Sequence, residues 1–192
     1  MSSIYNQLTN VLILTSGGID STACLAYYLN KPNILATPLF VDYGQAAANY
    51  EFKAVQAVCK HYQVNLETIS ISSKAGFSKG FITGRNMMLL AMALMFSSYP
   101  NGLVALGIHA GTNYFDCTKD FITKMQNLYD LYADGRYTID TPFIEWSKPD
   151  IWQYCIENKV PVDLTYSCES GTKPVCGRCL SCKDIEALYA TK

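Results

Sequence analysis

The chain has no long apolar run. The longest, Met87 to Phe96, is ten residues, about half of the roughly 20 that a helix needs to cross a bilayer core. It reads instead as a buried core helix. Met1-Ser2-Ser3-Ile4-Tyr5 lacks the charged head and apolar stretch of a secretion signal. Together these predict a cytoplasmic protein with no membrane contact. Basic charge is not in surplus: 15 Lys and Arg stand against 16 Asp and Glu, a formal net charge of −1. A surface that wraps nucleic-acid backbone normally shows such a surplus, so nucleic acid is not an expected partner. Charged residues make up only 16% against 49% hydrophobic, which excludes a mainly disordered chain. There are two histidines, and His109, following an apolar run, reads as a hydrogen-bonded structural residue. The one glycine pair near the N-terminus lacks the Gly-Lys-Ser/Thr of a Walker loop and the third glycine of a dinucleotide fingerprint.

What is present fits one well-cored domain of 192 residues. The eight cysteines do not form a secreted disulfide scaffold, because such scaffolds are shorter and carry a signal. Cys24, Cys59, Cys117 and Cys155 are scattered and read as small buried hydrophobes. Cys168, Cys176, Cys179 and Cys182 are spaced C-x7-C-x2-C-x2-C. Thiolates at that spacing on a tight knuckle, closed by Gly177, converge on one ion. Four thiolates with no fifth group suit a closed structural zinc site, and an iron–sulfur cluster takes the same set.

Short apolar runs alternate with helical spacing. Asn10 to Thr15, Ile34 to Val41, Leu66 to Ile71 and Leu103 to Ile108 read as buried strands. Ile139 to Phe143 reads as an edge strand, since Pro142 removes a ladder donor. Helices are predicted over Asp20 to Leu29, Tyr50 to Tyr62, Arg85 to Ser97, Lys119 to Tyr132, and from a Ser147 cap to Glu157. Ser72 to Thr83 is a polar, glycine-containing loop. This order predicts an α/β fold, a doubly wound and mostly parallel sheet covered on both faces. Residues 1–165 would form the α/β domain, and residues 166–192 a cysteine-bearing segment packed on it.

Ser16-Gly17-Gly18-Ile19-Asp20-Ser21 is the most informative stretch. It ends a strand and opens a helix. The glycines allow a sharp turn and close approach of a ligand, and the helix N-terminus presents free N–H groups and a partial positive charge to an anion. The Ser16 and Ser21 hydroxyls can add hydrogen bonds, and Asp20 either holds magnesium or caps the helix. In this context the string resembles the PP-loop ATP pyrophosphatases, which bind ATP here and cleave between the α and β phosphates.

With the loop and the cysteine cluster in place, the chain resembles the 7-cyano-7-deazaguanine synthase (QueC-like) family within that superfamily. Matching elements occur in order: Asp42-Tyr43-Gly44-Gln45, Gly84-Arg85-Asn86, Asp116-Cys117 with Phe121, Thr141-Pro142, Trp146 to Ile151 around Lys148, and the terminal cysteines. Departures are Ala46 and Ala47 where the family has Arg-His, Phe115 and Thr118 flanking Asp-Cys, a short segment before Gly84, and Ile185 near the end. The resemblance implies an adenine-nucleotide α-hydrolase-like fold, ATP with Mg2+, a structural Zn2+, and adenylation of 7-carboxy-7-deazaguanine followed by attack of ammonia or another amine. It implies catalytic roles for Lys148, Asp20 and Arg85. It implies nucleotide contacts from Ser16 to Ser21, Asp42, Gly84 and Asn86, and substrate contacts from Tyr43, Gln45 and Asp116. Three alternatives stay open: a related ligase joining the acid to an amine on a macromolecule, a PP-loop tRNA-modifying enzyme, and a zinc-knuckle interaction module. A homodimer also stays open.

Overall fold

The computed structural model describes residues 8–72, 77 and 80–190. The N-terminal residues read for a signal, and positions 73–76 and 78–79 of the predicted loop, lie outside the described residues. Five strands, β1 (Thr9–Leu14), β2 (Ile34–Asp42), β3 (Glu67–Ser70), β4 (Gly102–Leu106) and β5 (Tyr137–Asp140), form one sheet of order β3-β2-β1-β4-β5. Every pairing is parallel. The helices are α1 (Ile19–Leu29), α2 (Ala48–Tyr62), α3 (Arg85–Phe96), α4 (Lys119–Ala133), α5 (Lys148–Glu157) and α6 (Leu180–Tyr189).

The central strand explains the double winding. Side chains alternate across a strand, and in β1 both faces are apolar. Val11 and Ile13 enter one core with Ala23, Leu25, Phe143 and Ile151. Leu12 and Leu14 enter the other with Leu39, Leu90, Val104 and Phe121. A strand buried on both faces reads as a continuous apolar run, and each such side chain contributes about 1.5–3 kcal/mol by leaving water. Helices α1, α5 and α6 cover the first face, while α3 and α4 cover the second. The strand order reverses between β1 and β4, and open parallel sheets bind ligands in the crevice beyond the strand ends at that point. The Ser16–Ser21 loop follows β1, and Gly107 to His109 follows β4.

The predicted edge strand is shifted. β5 starts at Tyr137 and ends before Pro142, because the chain turns there: the Ile144 N–H reaches the Thr141 carbonyl and the Trp146 N–H the Phe143 carbonyl. Helix α6 lies in the segment where the sequence pattern predicts no helix. Its Leu188 enters the first core, and Tyr189 meets Trp152 edge-on with ring centroids 5.0 Å apart. Among the described residues no helix is long and apolar enough to cross a membrane.

Candidate active site

The loop after β1 is held by its own atoms. The Ser21 hydroxyl donates to the Gly18 carbonyl at 3.1 Å and accepts from the Ser16 N–H at 3.2 Å. Ser21 is buried and Ser16 exposed. The Ser21 hydroxyl is therefore engaged inside the loop, where it also meets the Ser16 hydroxyl at 3.2 Å, and of the two hydroxyls Ser16 is the exposed one. Gly17 has φ +76°, and a Cβ there would stand 2.7 Å from the Glu51 carbonyl, so the fold itself demands glycine. Ile19 buries its side chain in the core and offers only its backbone N–H.

Asp20 neither caps the helix nor stands open. The N-cap of α1 is Gly18, without a side-chain cap. The Asp20 carboxylate is clasped by Lys148, with Nζ at 2.6 and 2.5 Å from its two oxygens. Sequence brings Lys148 there through α5: the Ser147–Asp150 capping box and Pro149 fix the helix start, and Lys148 is its first residue. The loop residues and Lys148, 128 positions apart in sequence, thus meet at the switch point.

His109 joins them. Its Nδ1 accepts the Gly111 N–H at 3.0 Å, leaving Nε2 to face Asp20 Oδ2 at 3.8 Å. Burial lowers the histidine pKa, Asp20 pulls it up, and the Lys148 ammonium pushes it down again, with a net lowering. Reading His109 as purely structural missed this proximity. The available signal was its position after β4, where the strand order reverses.

A second group gathers where β2 ends. Asp42 Oδ1 accepts the Gly44 N–H at 3.0 Å. Gln45 accepts the Tyr43 N–H through Oε1 and donates Nε2 to Glu51 at 2.8 Å. Burial raises the Glu51 pKa, opposed by the Gln45 hydrogen bond and the Arg85 charge. Arg85 also lies beside the Tyr43 hydroxyl, where it opposes the upward push of burial. Glu51, absent from the expected set, is therefore the acidic centre between Gln45 and Arg85.

Gly84 is the left-handed residue before α3. Asn86 does not cap that helix; it is buried, and its Nδ2 donates to the Asp116 carbonyl at 3.0 Å. That bond fixes the 3₁₀ turn Phe115–Cys117 against α3. The Asp116 side chain is buried, and its carboxylate receives no hydrogen bond from the described residues. Cys117 beneath it lies within electrostatic reach of Asp116, Arg85 and Asp20, so the groups border one region. Beside it opens a cleft of about 810 Å³ walled by Thr112, Asn113, Tyr114, Phe115 and Ile144.

The four terminal cysteines form a separate centre. Their sulfurs all lie within 4.8 Å of one another, with Cys176 and Cys182 Sγ 4.0 Å apart. A tetrahedral ion with metal–sulfur bonds of about 2.3 Å needs sulfurs about 3.8 Å apart, so the set fits. Burial raises the Cys168 thiol, but the backbone N–H groups of Cys176 and Ser170 outweigh it and bring the pKa to about 5. Cys176 falls to about 7 through the Ser170 hydroxyl and the N–H groups of Arg178 and Cys179. Such N–H donors favour the thiolates that a cation requires. Among the described residues this is the one close group of three or more ligating side chains; Asp20, Asp42 and Asp116 do not converge into another.

The doubly wound parallel sheet thus carries the Ser-Gly-Gly-x-Asp-Ser loop at its switch point, with a lysine brought onto it. The model of the family described as "Queuosine biosynthesis protein QueC" matches residues 10–79 and 72–191, and the chain belongs to that family. Relatives named 7-cyano-7-deazaguanine synthase include proteins of Prochlorococcus marinus (strain AS9601), 27% identical over 94% of this chain and 93% of the relative, and Picrophilus torridus, 30% identical over 91% and 84%. One from Methanoculleus marisnigri is 30% identical over 91% of both chains.

Proposed function

We propose that this chain uses ATP to adenylate the carboxylate of 7-carboxy-7-deazaguanine or a close relative, and that an amine then displaces AMP. The observation that carries the reading is the Asp20–Lys148 pair at 2.5 Å against the phosphate loop. Pyrophosphate is a highly charged leaving group, and donors preorganised around it are the main source of acceleration. The free N–H groups at the start of α1, the Ser16 hydroxyl and Lys148 supply such donors. Asp20 holds Lys148 in place until phosphate oxygens compete for it. Magnesium would accompany the nucleotide, because its usual site is built from one or two carboxylates with the phosphates themselves, and it would neutralise the developing charge.

The acid would sit beyond β4. A planar guanine-like ring needs an apolar slot with a few buried polar partners. Tyr114 and Phe115 provide aromatic walls, and the Asp116 carboxylate can accept two ring N–H groups side by side. Arg85 is suited to a carboxylate or phosphate in bidentate fashion. Ammonia as the amine would give the amide, and a second adenylation the nitrile. Zinc at Cys168, Cys176, Cys179 and Cys182 would serve structure, since four thiolates leave no open position for chemistry.

Stimulation of ATP consumption by a panel of carboxylic acids tests the substrate, with ammonium, small amines or a protein amine as acceptor. The deazaguanine acid is expected to stimulate, and the product mass shows which acceptor was used. Stimulation by another acid alone would remove the substrate and leave only the PP-loop chemistry.

A further inference from the structure

Gly18 poses a question that the fold does not answer. Its φ of −79° and ψ of 168° are extended values that any residue adopts. A Cβ at this position would make only ordinary contacts, 3.5 Å to the Ser167 hydroxyl, 3.6 Å to the Ser16 hydroxyl and 4.0 Å to the Tyr166 carbonyl. Neither strain nor crowding calls for glycine, in contrast to Gly17. What the missing side chain leaves is a small space at the N-terminus of α1, flanked by two hydroxyls.

One of those hydroxyls comes from far along the chain, in the segment that leads to the cysteines. That segment is fastened to the loop: the Tyr166 N–H donates to the Gly17 carbonyl at 2.8 Å, and the Tyr166 ring stacks on Tyr50 with centroids 5.0 Å apart. Further along, Gly171 lies so close to the start of α2 that a Cβ there would stand 2.1 Å from the Ala46 carbonyl. Ser167 is thus held over Gly18 by its neighbours on both sides. Its hydroxyl makes no side-chain hydrogen bond among the described residues, whereas Ser21, the second hydroxyl expected from sequence, is committed inside the loop.

We propose that Ser167 is a phosphate-binding residue, its hydroxyl closing the anion cradle over Gly18 opposite Ser16. The inference rests on the reading that the loop holds the polyphosphate of ATP. It gives the cysteine-bearing segment a direct part in nucleotide binding, beyond stabilising the chain.

Calorimetric titration of the full-length, metal-loaded protein, without acid so that ATP is not consumed, tests it. A hydrogen bond to a charged phosphate is worth roughly tenfold or more in affinity. Ser167→Ala is expected to weaken ATP and inorganic pyrophosphate by about tenfold while changing AMP by less than about twofold, with metal content equal to wild type by elemental analysis. Ser167→Thr, which keeps a hydroxyl, is expected to stay closer to wild type than Ser167→Ala. Wild-type affinity for ATP in Ser167→Ala, alongside a loss in Ser16→Ala, would overturn the assignment and leave the loop reading intact. Loss of metal together with ATP affinity in Ser167→Ala would make the residue a structural part of the knuckle and also overturn it. Failure of the wild-type protein itself to bind ATP would remove the loop reading and this inference together.

Discussion

At Gly17 a side chain is impossible, and at Gly18 it is merely absent. Gly17→Ala puts an L-residue at φ +76° against the Glu51 carbonyl, so it is expected to lower the unfolding midpoint markedly, a shift that thermal denaturation measures. Gly18→Ala is expected to unfold within about 0.5 kcal/mol of wild type, as a surface change does, yet to release pyrophosphate about 10²-fold more slowly because it fills the cradle. A Gly18→Ala enzyme with normal turnover would refute the anion site. Lys148→Met is expected to slow pyrophosphate release by a similar factor or more, with Asp20 left facing His109 alone. The loop was legible in sequence because a glycine pair, flanking hydroxyls and a strand–helix junction are all local signals. Ser167, His109 and Glu51 were not, because each reaches the site through the sheet topology or a long-range packing contact. Asp20 is not the helix cap that the local pattern allowed, and its lysine partner was not legible because no local rule shows a residue 128 positions away.

Two elements deliver chemistry through their ends. Helix α5 presents Lys148 at its first turn, and its start depends on the capping box. Ser147→Ala is expected to cost about 1 kcal/mol by chemical denaturation and, by fraying the turn that holds Lys148, to lower kcat without a matching loss of metal. His109 follows strand β4, and burial together with the Lys148 charge lowers its pKa against the upward pull of Asp20. The native protein binds that proton less readily than the unfolded chain, in which histidine titrates near about 6.5. Stability from His109 is therefore intact above about pH 6.5 and declines as pH falls below it. Between pH 7.5 and 5.5 the wild-type midpoint is expected to fall further than that of His109→Asn; equal slopes would show that the burial of His109 is not linked to folding. Helix existence was readable from spacing in every case but α6, whose ten residues begin within the cysteine cluster and bury few side chains. The β5 boundaries slipped because Pro142 was placed inside the strand, whereas it lies just beyond its last residue.

At the scale of the whole molecule, the order β3-β2-β1-β4-β5 brings the ends of β1, β2 and β4 to one crevice, and the cysteine segment folds back over it. The sequence order of strands and helices implied the parallel sheet and its two covered faces, since both faces of β1 are apolar. It could not show that residues 166–171 touch the Ser16–Ser21 loop and the start of α2. Removing the metal with a chelator is expected to loosen residues 166–190 first, read as faster amide exchange, because metal binding and local folding are coupled in such knuckles. Unchanged exchange there would separate the cysteine cluster from the fold. The most direct test of adenylation is the identity of the nucleotide products formed with the deazaguanine acid and an amine. AMP and pyrophosphate in equal amounts, dependent on the acid, are the expected result; ADP and phosphate would contradict it.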